Sequence, residues 1–200
     1  GKHLLSLIND ILDHSKLVAG KMTLDLESFP LQPLLEGVLD TVQPLAKKNA
    51  NQLERDFAPN LGSLHADSKR LKQSLLNLLS NAIKFTSNGT VTLRARRVLE
   101  GQREWVCLQV IDTGIGIPAD KLETIFQEFE QAESSTTRKY GGTGLGLSIS
   151  RGFCRMMGGD IMVRSRPGEG ATFSIWVPVE VNQTGLPSDR VTLPPQSREG

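Results

Sequence analysis

Trp105-Val106-Cys107-Leu108-Gln109-Val110-Ile111-Asp112-Thr113-Gly114-Ile115-Gly116-Ile117 is the stretch on which the fold of this chain turns. The near-continuous apolar run from Trp105 to Ile111 predicts a buried strand. It ends in a carboxylate, and glycines follow two and four residues later. A carboxylate at a strand end can accept an N–H from a flat polar ring, and glycines let such a ring approach the backbone. A tight strand-to-helix turn would use the same residue types, so the stretch must be read with its neighbours.

Upstream, the Ser87-Asn88-Gly89 turn leads into Val91, Leu93 and Ala95, which alternate with polar residues as a strand does. Before it, Asp67 predicts an N-cap for a helix over 68–84. At about 100° per residue, Leu71, Leu75, Leu78, Leu79 and Ala82 cover one face of that helix, and Asn77, Asn81 and Lys84 share a stripe on the other side. A solvated surface accounts for such a stripe, but asparagine is a poor helix former. A carboxamide oxygen suits Mg2+ and an ammonium suits a phosphate. Downstream, Gly141-Gly142-Thr143-Gly144-Leu145-Gly146-Leu147 opens a helix over 143–157 that carries Ile149, Phe153 and Met156. Backbone amides at a helix N-terminus form an anion site. The loop lacks the Lys-Ser/Thr ending of a P-loop and the preceding strand of a dinucleotide fingerprint.

The remainder interleaves helices and strands. In the helix predicted over 2–20, Leu4, Ile8, Ile11, Ser15 and Val18 form a coiled-coil seam that Leu5 and Leu12 widen. Met22, Leu24, Leu26, Phe29 and Pro30 read as a strand, 31–46 as a helix, and 53–57 and 64–66 as short strands. A short helix is expected over 119–125, and a hairpin formed by 161–164 and 172–179. Residues 181–200 hold Pro187, Pro194 and Pro195 and read as a linker or tail. Antiparallel hairpins among interleaved helices predict an α+β two-layer sandwich rather than a doubly wound parallel sheet. The 200 residues suit one domain, or one domain plus a fragment of a neighbour. With 23 Lys and Arg against 22 Asp and Glu, a nucleic-acid-coating surface is not expected. Two cysteines exclude a disulfide framework. No apolar run approaches the roughly 18 residues of a membrane span. Eleven of the 19 glycines fall within 112–170, a concentration that calls for a reason.

Taken together, four motifs resemble those of sensor histidine kinases. Asn77-Leu78-Leu79-Ser80-Asn81-Ala82-Ile83-Lys84-Phe85-Thr86 resembles the asparagine box, and Asp112 to Ile117 the first glycine box. Phe126-Gln127-Glu128-Phe129 resembles the phenylalanine box, and Gly142 to Leu147 the second glycine box. The resemblance implies the Bergerat ATP-binding sandwich shared with gyrase, Hsp90 and MutL, a mixed sheet covered on one face by helices. It implies ATP and Mg2+ as ligands. Asp112 would accept the adenine amino hydrogen, flanked by Gly114, Gly116 and Ile117. Asn81 would ligate Mg2+, Asn77 would support metal or phosphates, and Lys84 would lie along the phosphates. Gly142, Thr143, Gly144, Leu145 and Gly146 would face the phosphates. Arg138 and Lys139 would offset phosphate charge from an ATP lid over 130–141, with Phe126 and Phe129 at its base. Thr172 would bring a hydroxyl near adenine.

The resemblance also implies partners. Residues 1–20 would end a dimerisation and phosphoacceptor hairpin, 21–180 would be the catalytic domain, and 181–200 a linker. His3, His14 and His65 do not match an H-E-[LI]-R-T-P acceptor motif, so the acceptor histidine is expected upstream. The full protein would be a homodimer whose domain is cytoplasmic, with or without a membrane anchor, and would pass its phosphoryl group to a receiver domain in cis or in trans. The lid sequence Ser134 to Gly142 resembles those of hybrid kinases. Asn77 stands where the gyrase group places a glutamate base, which disfavours hydrolysis and favours transfer to a side chain. A non-catalytic nucleotide-binding module and an anti-sigma-type serine kinase are the alternatives on the same fold.

Overall fold

The computed structural model describes residues 2–127 and 144–182, with side chains from residue 8 onward. Helix α1 spans Lys2–Val18, strand β1 Glu27–Pro30, helix α2 Leu31–Lys48, and strands β2 and β3 Gln52–Phe57 and Ser63–Ala66. Helix α3 is Ser68–Phe85, and strands β4 and β5 are Thr90–Glu100 and Arg103–Asp112. Helix α4 is Gly146–Met156, followed by the hairpin of β6, Asp160–Ser165, and β7, Ala171–Pro178.

Five strands form one mixed sheet in the order β2-β4-β5-β7-β6. Only the β2–β4 pair is parallel. Strands β1 and β3 pair separately, and the chain just past β7 reaches back to them. His65 N–H donates to Val179 O and Val181 N–H to His65 O.

Period-2 alternation decides which side chains meet the helices. Val91, Leu93 and Ala95 of β4, Val106, Leu108 and Val110 of β5, and Phe173, Ile175 and Val177 of β7 face one way. They meet Leu35, Val38 and Val42 of α2, Leu71, Leu75, Leu78 and Leu79 of α3, and Ile149 and Phe153 of α4. Helices therefore cover one face of the mixed sheet, as the two-layer expectation required. The other face carries a smaller cluster of Trp105, Cys107 and Trp176, packed by Val98 and Met162. The Arg103 guanidinium lies 4.8 Å from the Trp105 ring centroid. Trp176 Nε1 is buried and has no hydrogen-bond partner among the described residues. Both cysteines are free and buried.

Local signals account for the boundaries. Asp67 caps α3: Oδ1 accepts from Arg70 N at 3.0 Å, and Oδ2 accepts from Asp25 N at 3.0 Å. At the other end of α3, Asn51 Nδ2 donates to Ile83 O and Thr86 O, 3.0 and 2.8 Å away. Its Oδ1 accepts from Gly89 N. These bonds fasten the turn after α3, where Asn88 takes φ 53°.

Three expected boundaries change. The first strand is only Glu27–Pro30, because Met22, Leu24 and Leu26 pack on the core without a paired neighbour. The expected 119–125 helix is a single 3-10 turn, Ala119–Lys121, followed by turns. The helix expected from 143 begins at Gly146, because Gly144 takes φ 70° and cannot be helical.

Helix α1 has two unlike sides. Asp13 Oδ2 accepts from Arg70 Nη1 at 3.1 Å and from Gln73 Nε2 at 3.2 Å, and Leu17 packs on Gly152. Ile8, Ile11, Leu12 and Val18, part of the expected seam, face solvent.

Candidate functional site

Asp112 ends β5 with the parity of Val106, Leu108 and Val110, so its carboxylate points to the helix-covered face. It is 7% exposed. Its Oδ1 accepts from Gly114 N at 2.9 Å and Ala171 N at 3.3 Å, with Thr86 Oγ1 3.5 Å away. Among the described residues nothing donates to Oδ2. Burial pushes the carboxyl pKa above its ordinary value, against the opposing pull of those three donors. One oxygen thus orients the group and the other is left for an external N–H.

The loop after Asp112 is stitched on two sides. Ile115 N donates to Phe85 O at 3.3 Å, and Ile115 O accepts from Gly168 N at 2.8 Å. Ile117 N donates to Ser165 Oγ at 2.8 Å, while that hydroxyl donates to Gly170 O at 2.6 Å. Gly114 and Gly116, expected to bare the backbone to a purine, already have protein neighbours. A Cβ on Gly114 would lie 2.3 Å from Phe85 O, and one on Gly116 2.0 Å from Arg166 O. Gly116 also takes φ 71°. Gly170 is required in the same way: its Cβ would lie 1.9 Å from Asp112 O.

The other group of candidates gathers on α3 and α4. Asn77 Nδ2 donates to Ser150 Oγ at 3.1 Å, and a Cβ on Gly146 would meet Asn77 Oδ1 at 2.5 Å. The asparagine stripe is therefore not a plain solvated face: its first member is clamped against α4. Asn81 is half-buried, and its side chain makes no hydrogen bond to a described residue. Lys84 is half-buried, its Nζ lies 5.3 Å from the Phe85 ring centroid, and desolvation lowers its pKa. Helix α4 starts beside them. Leu145, 2% exposed, gives its first turn no side-chain cap. A cleft of about 270 Å³ between α1, α3 and α4 is bordered by Asp10, Asn77, Ser80, Gly146 and Ser150. Burial, with the nearby Asp13 charge, raises the Asp10 carboxyl pKa.

Phe126 meets Phe173 edge-on, with ring centroids 6.4 Å apart at 76°. Thr172 does not join the site. It pairs with Ile111 and Arg164, and alternation sends its side chain to the helix-free face, opposite Asp112. The residue beside Asp112 on β7 is Ala171, which contributes its backbone N–H. Phe129, Arg138, Lys139, Gly142 and Thr143, and the segment 130–141, lie outside the described residues. Sequence reasoning missed Thr86, Asn51, Ser165 and Gly170. Thr86 closes the asparagine motif itself, and its buried hydroxyl beside Asp112 was the available signal.

The residues present fit a hard cation held together with phosphates. Asn81 offers a neutral oxygen without a partner among the described residues. Among the described residues no cluster of three or more His, Cys, Asp or Glu exists, so an ion here would take most of its oxygens from phosphate and water.

Comparison with known proteins agrees with this geometry. The profile described as histidine kinase-, DNA gyrase B-, and HSP90-like ATPase matches residues 66–181, and the chain belongs to that family. Within it, the chain is the ATP-binding domain of a sensor histidine kinase. It is 47% identical over 181 residues to the circadian input-output histidine kinase CikA of Synechococcus elongatus, covering 89% of this chain and 24% of that protein. It is 41% identical over 186 residues to hybrid signal transduction histidine kinase B of Dictyostelium discoideum, covering 92% of this chain and 9% of that protein. The chain thus spans a quarter or less of the length of these two relatives. Among solved structures, full-length ShkA in complex with AMPPNP superposes with a TM-score of 0.79 at 34% identity, over 90% of this chain and 36% of that one.

Proposed function

We propose that this domain binds Mg–ATP and transfers the γ-phosphoryl group to a histidine on a helical domain preceding it in the full-length protein, for onward relay to a receiver domain. The reading rests chiefly on Asp112, with one oxygen held by backbone donors and the other open. The hybrid kinase among the relatives supports the relay.

The residues divide the work. Asp112 Oδ2 accepts the exocyclic amino hydrogen of adenine. The first-turn amides of α4 and the Lys84 ammonium hold phosphate oxygens. Asn81, with phosphate oxygens, would hold a divalent ion, which supplies charge neutralisation when bound. Asn77, bonded to Ser150, fixes α4 against α3 and cannot take a proton from water. Transfer breaks the bond from γ-phosphorus to the β–γ bridging oxygen and forms a phosphorus–nitrogen bond, and the imidazole gives up a proton. Residues 1–20 are assigned to the end of the acceptor hairpin, 21–180 to the catalytic domain and 181–200 to a linker. The exposed Ile8, Ile11, Leu12 and Val18 fit a homodimer of the full-length protein.

The test is transfer in trans. Incubated with γ-labelled ATP, the chain should retain no acid-labile label but should label a histidine when the acceptor domain of its own full-length protein is supplied. Phosphohistidine on residues 1–200 alone, or an acceptor that stays unlabelled, would overturn the reading.

A further inference from the structure

Adjacent residues on α4 point about 100° apart, and Ser150 and Arg151 use this to reach opposite flanks of the site. Ser150 accepts the bond from Asn77 on α3. Arg151 turns to β6 and to the phenylalanine motif. Its Nε donates to Asp160 Oδ1 at 2.7 Å and its Nη2 to Asp160 Oδ2 at 3.2 Å. The same guanidinium lies over Phe126, 4.6 Å from the ring centroid. Phe126 also meets Phe173, edge-on. Both ends of the pair are largely covered, at 29% and 17% side-chain exposure.

We infer that Arg151 is a positioning residue for nucleotide binding, holding Phe126 and the first turn of α4 in register with each other. Only a planar fork can engage a carboxylate with its edge and an aromatic ring with its face, so lysine is not an equivalent. The first turn of α4 is then fixed on one side by Asn77–Ser150 and on the other by Phe126–Arg151–Asp160. Small misplacements of such donors are felt strongly at the group they bind. The inference deepens the proposed function and rests on it.

The decisive variant is Arg151→Lys, which keeps a cation for Asp160 and removes the stack on Phe126. Asp160 also keeps Arg155, whose Nε lies 3.4 Å from Oδ1, so folding is protected. Affinities for Mg–AMPPNP and for adenosine are measured by titration, alongside the unfolding midpoint of the ligand-free chain. Arg151→Lys should weaken Mg–AMPPNP by roughly tenfold, the scale of a well-covered cation–π contact. Adenosine affinity should stay unchanged, because the Asp112 end is held by other bonds, whereas the unfolding midpoint should fall slightly, because the stack on Phe126 is already made in the ligand-free chain. In a Phe126→Leu background the same change should have no further effect. Unchanged Mg–AMPPNP affinity, equal losses for both ligands, or additive losses with Phe126→Leu would each overturn the inference alone. Failure of the unaltered chain to bind Mg–AMPPNP would overturn the functional reading together with it.

Discussion

The two ends of the proposed nucleotide site are built on different plans. At the base end the chain is consumed by its own packing. Gly114, Gly116 and Gly170 each give up a Cβ to a neighbouring carbonyl, and Asp112 Oδ1 carries two backbone hydrogen bonds. At the phosphate end the groups sit on helices that would form without them. The Asn81 side chain has no hydrogen bond to a described residue, and Leu145 gives α4 no side-chain cap. Changes at the base end should therefore cost stability and binding together, and a change at Asn81 binding alone.

The largest effect is expected from Gly116→Ala. Its φ of 71°, and Arg166 O lying 2.0 Å from where a Cβ would stand, leave no room for a methyl group. Strain and displacement together should lower stability by roughly 3 kcal/mol, read by denaturant unfolding. A change below about 0.5 kcal/mol, the range of ordinary surface substitutions, would mean the loop is not stitched as described.

Asn81→Ala should behave in the opposite manner. Stability should stay within about 0.5 kcal/mol, since no hydrogen bond is lost. Nucleotide affinity in Mg2+ should drop about tenfold or more, the scale of losing one charge-assisted contact, while affinity measured in chelator should not change. An equal loss with and without the ion would remove Asn81 from the metal.

The smallest effect is a pH dependence that separates the ends again. The Asp112 carboxyl titrates above the usual carboxylate range, chiefly because it is desolvated. The native state therefore holds its proton at higher pH than the unfolded chain does. This group's contribution to stability declines as pH rises from the unfolded pKa through the folded one, and the cost of burying its charge is fully present above that window. Nucleotide affinity should move the other way, falling on acidification through the same raised pKa as the acceptor charge is lost. Asp112→Asn should flatten that part of the affinity profile. If the variant kept the slope, another group would be responsible.

Much of the architecture could be read from the chain. Asp67 announced the start of α3, and the alternation of Val91, Leu93 and Ala95 announced β4. The apolar run before Asp112 placed the carboxylate at a strand end, because each signal is local. What failed depended on register between distant segments. The resemblance puts the Thr172 hydroxyl near adenine from its place before Phe173 in the closing hairpin. The alternation of Phe173, Ile175 and Val177 already said that its side chain points away from the core. Only the pairing of Asp112 with Ala171 showed which β7 residue meets the site. The packing role of the glycines was hidden for a related reason: a missing Cβ looks the same in sequence whether a ligand or a carbonyl fills the space. Arg151 was invisible because its two partners, Phe126 and Asp160, lie on either side of α4 in sequence, and a stacked guanidinium leaves no local pattern.

The cluster on the helix-free face has an optical consequence. Both tryptophans of the chain sit there, with the sheet between them and Asp112. Trp176 is shielded from water, and Trp105 lies beneath a guanidinium. Their emission is a built-in dye that follows the loss of the sheet and is blind to nucleotide arriving on the far side. Unfolding can be followed through it in every variant named above, independently of occupancy, so stability and affinity can be read as separate quantities.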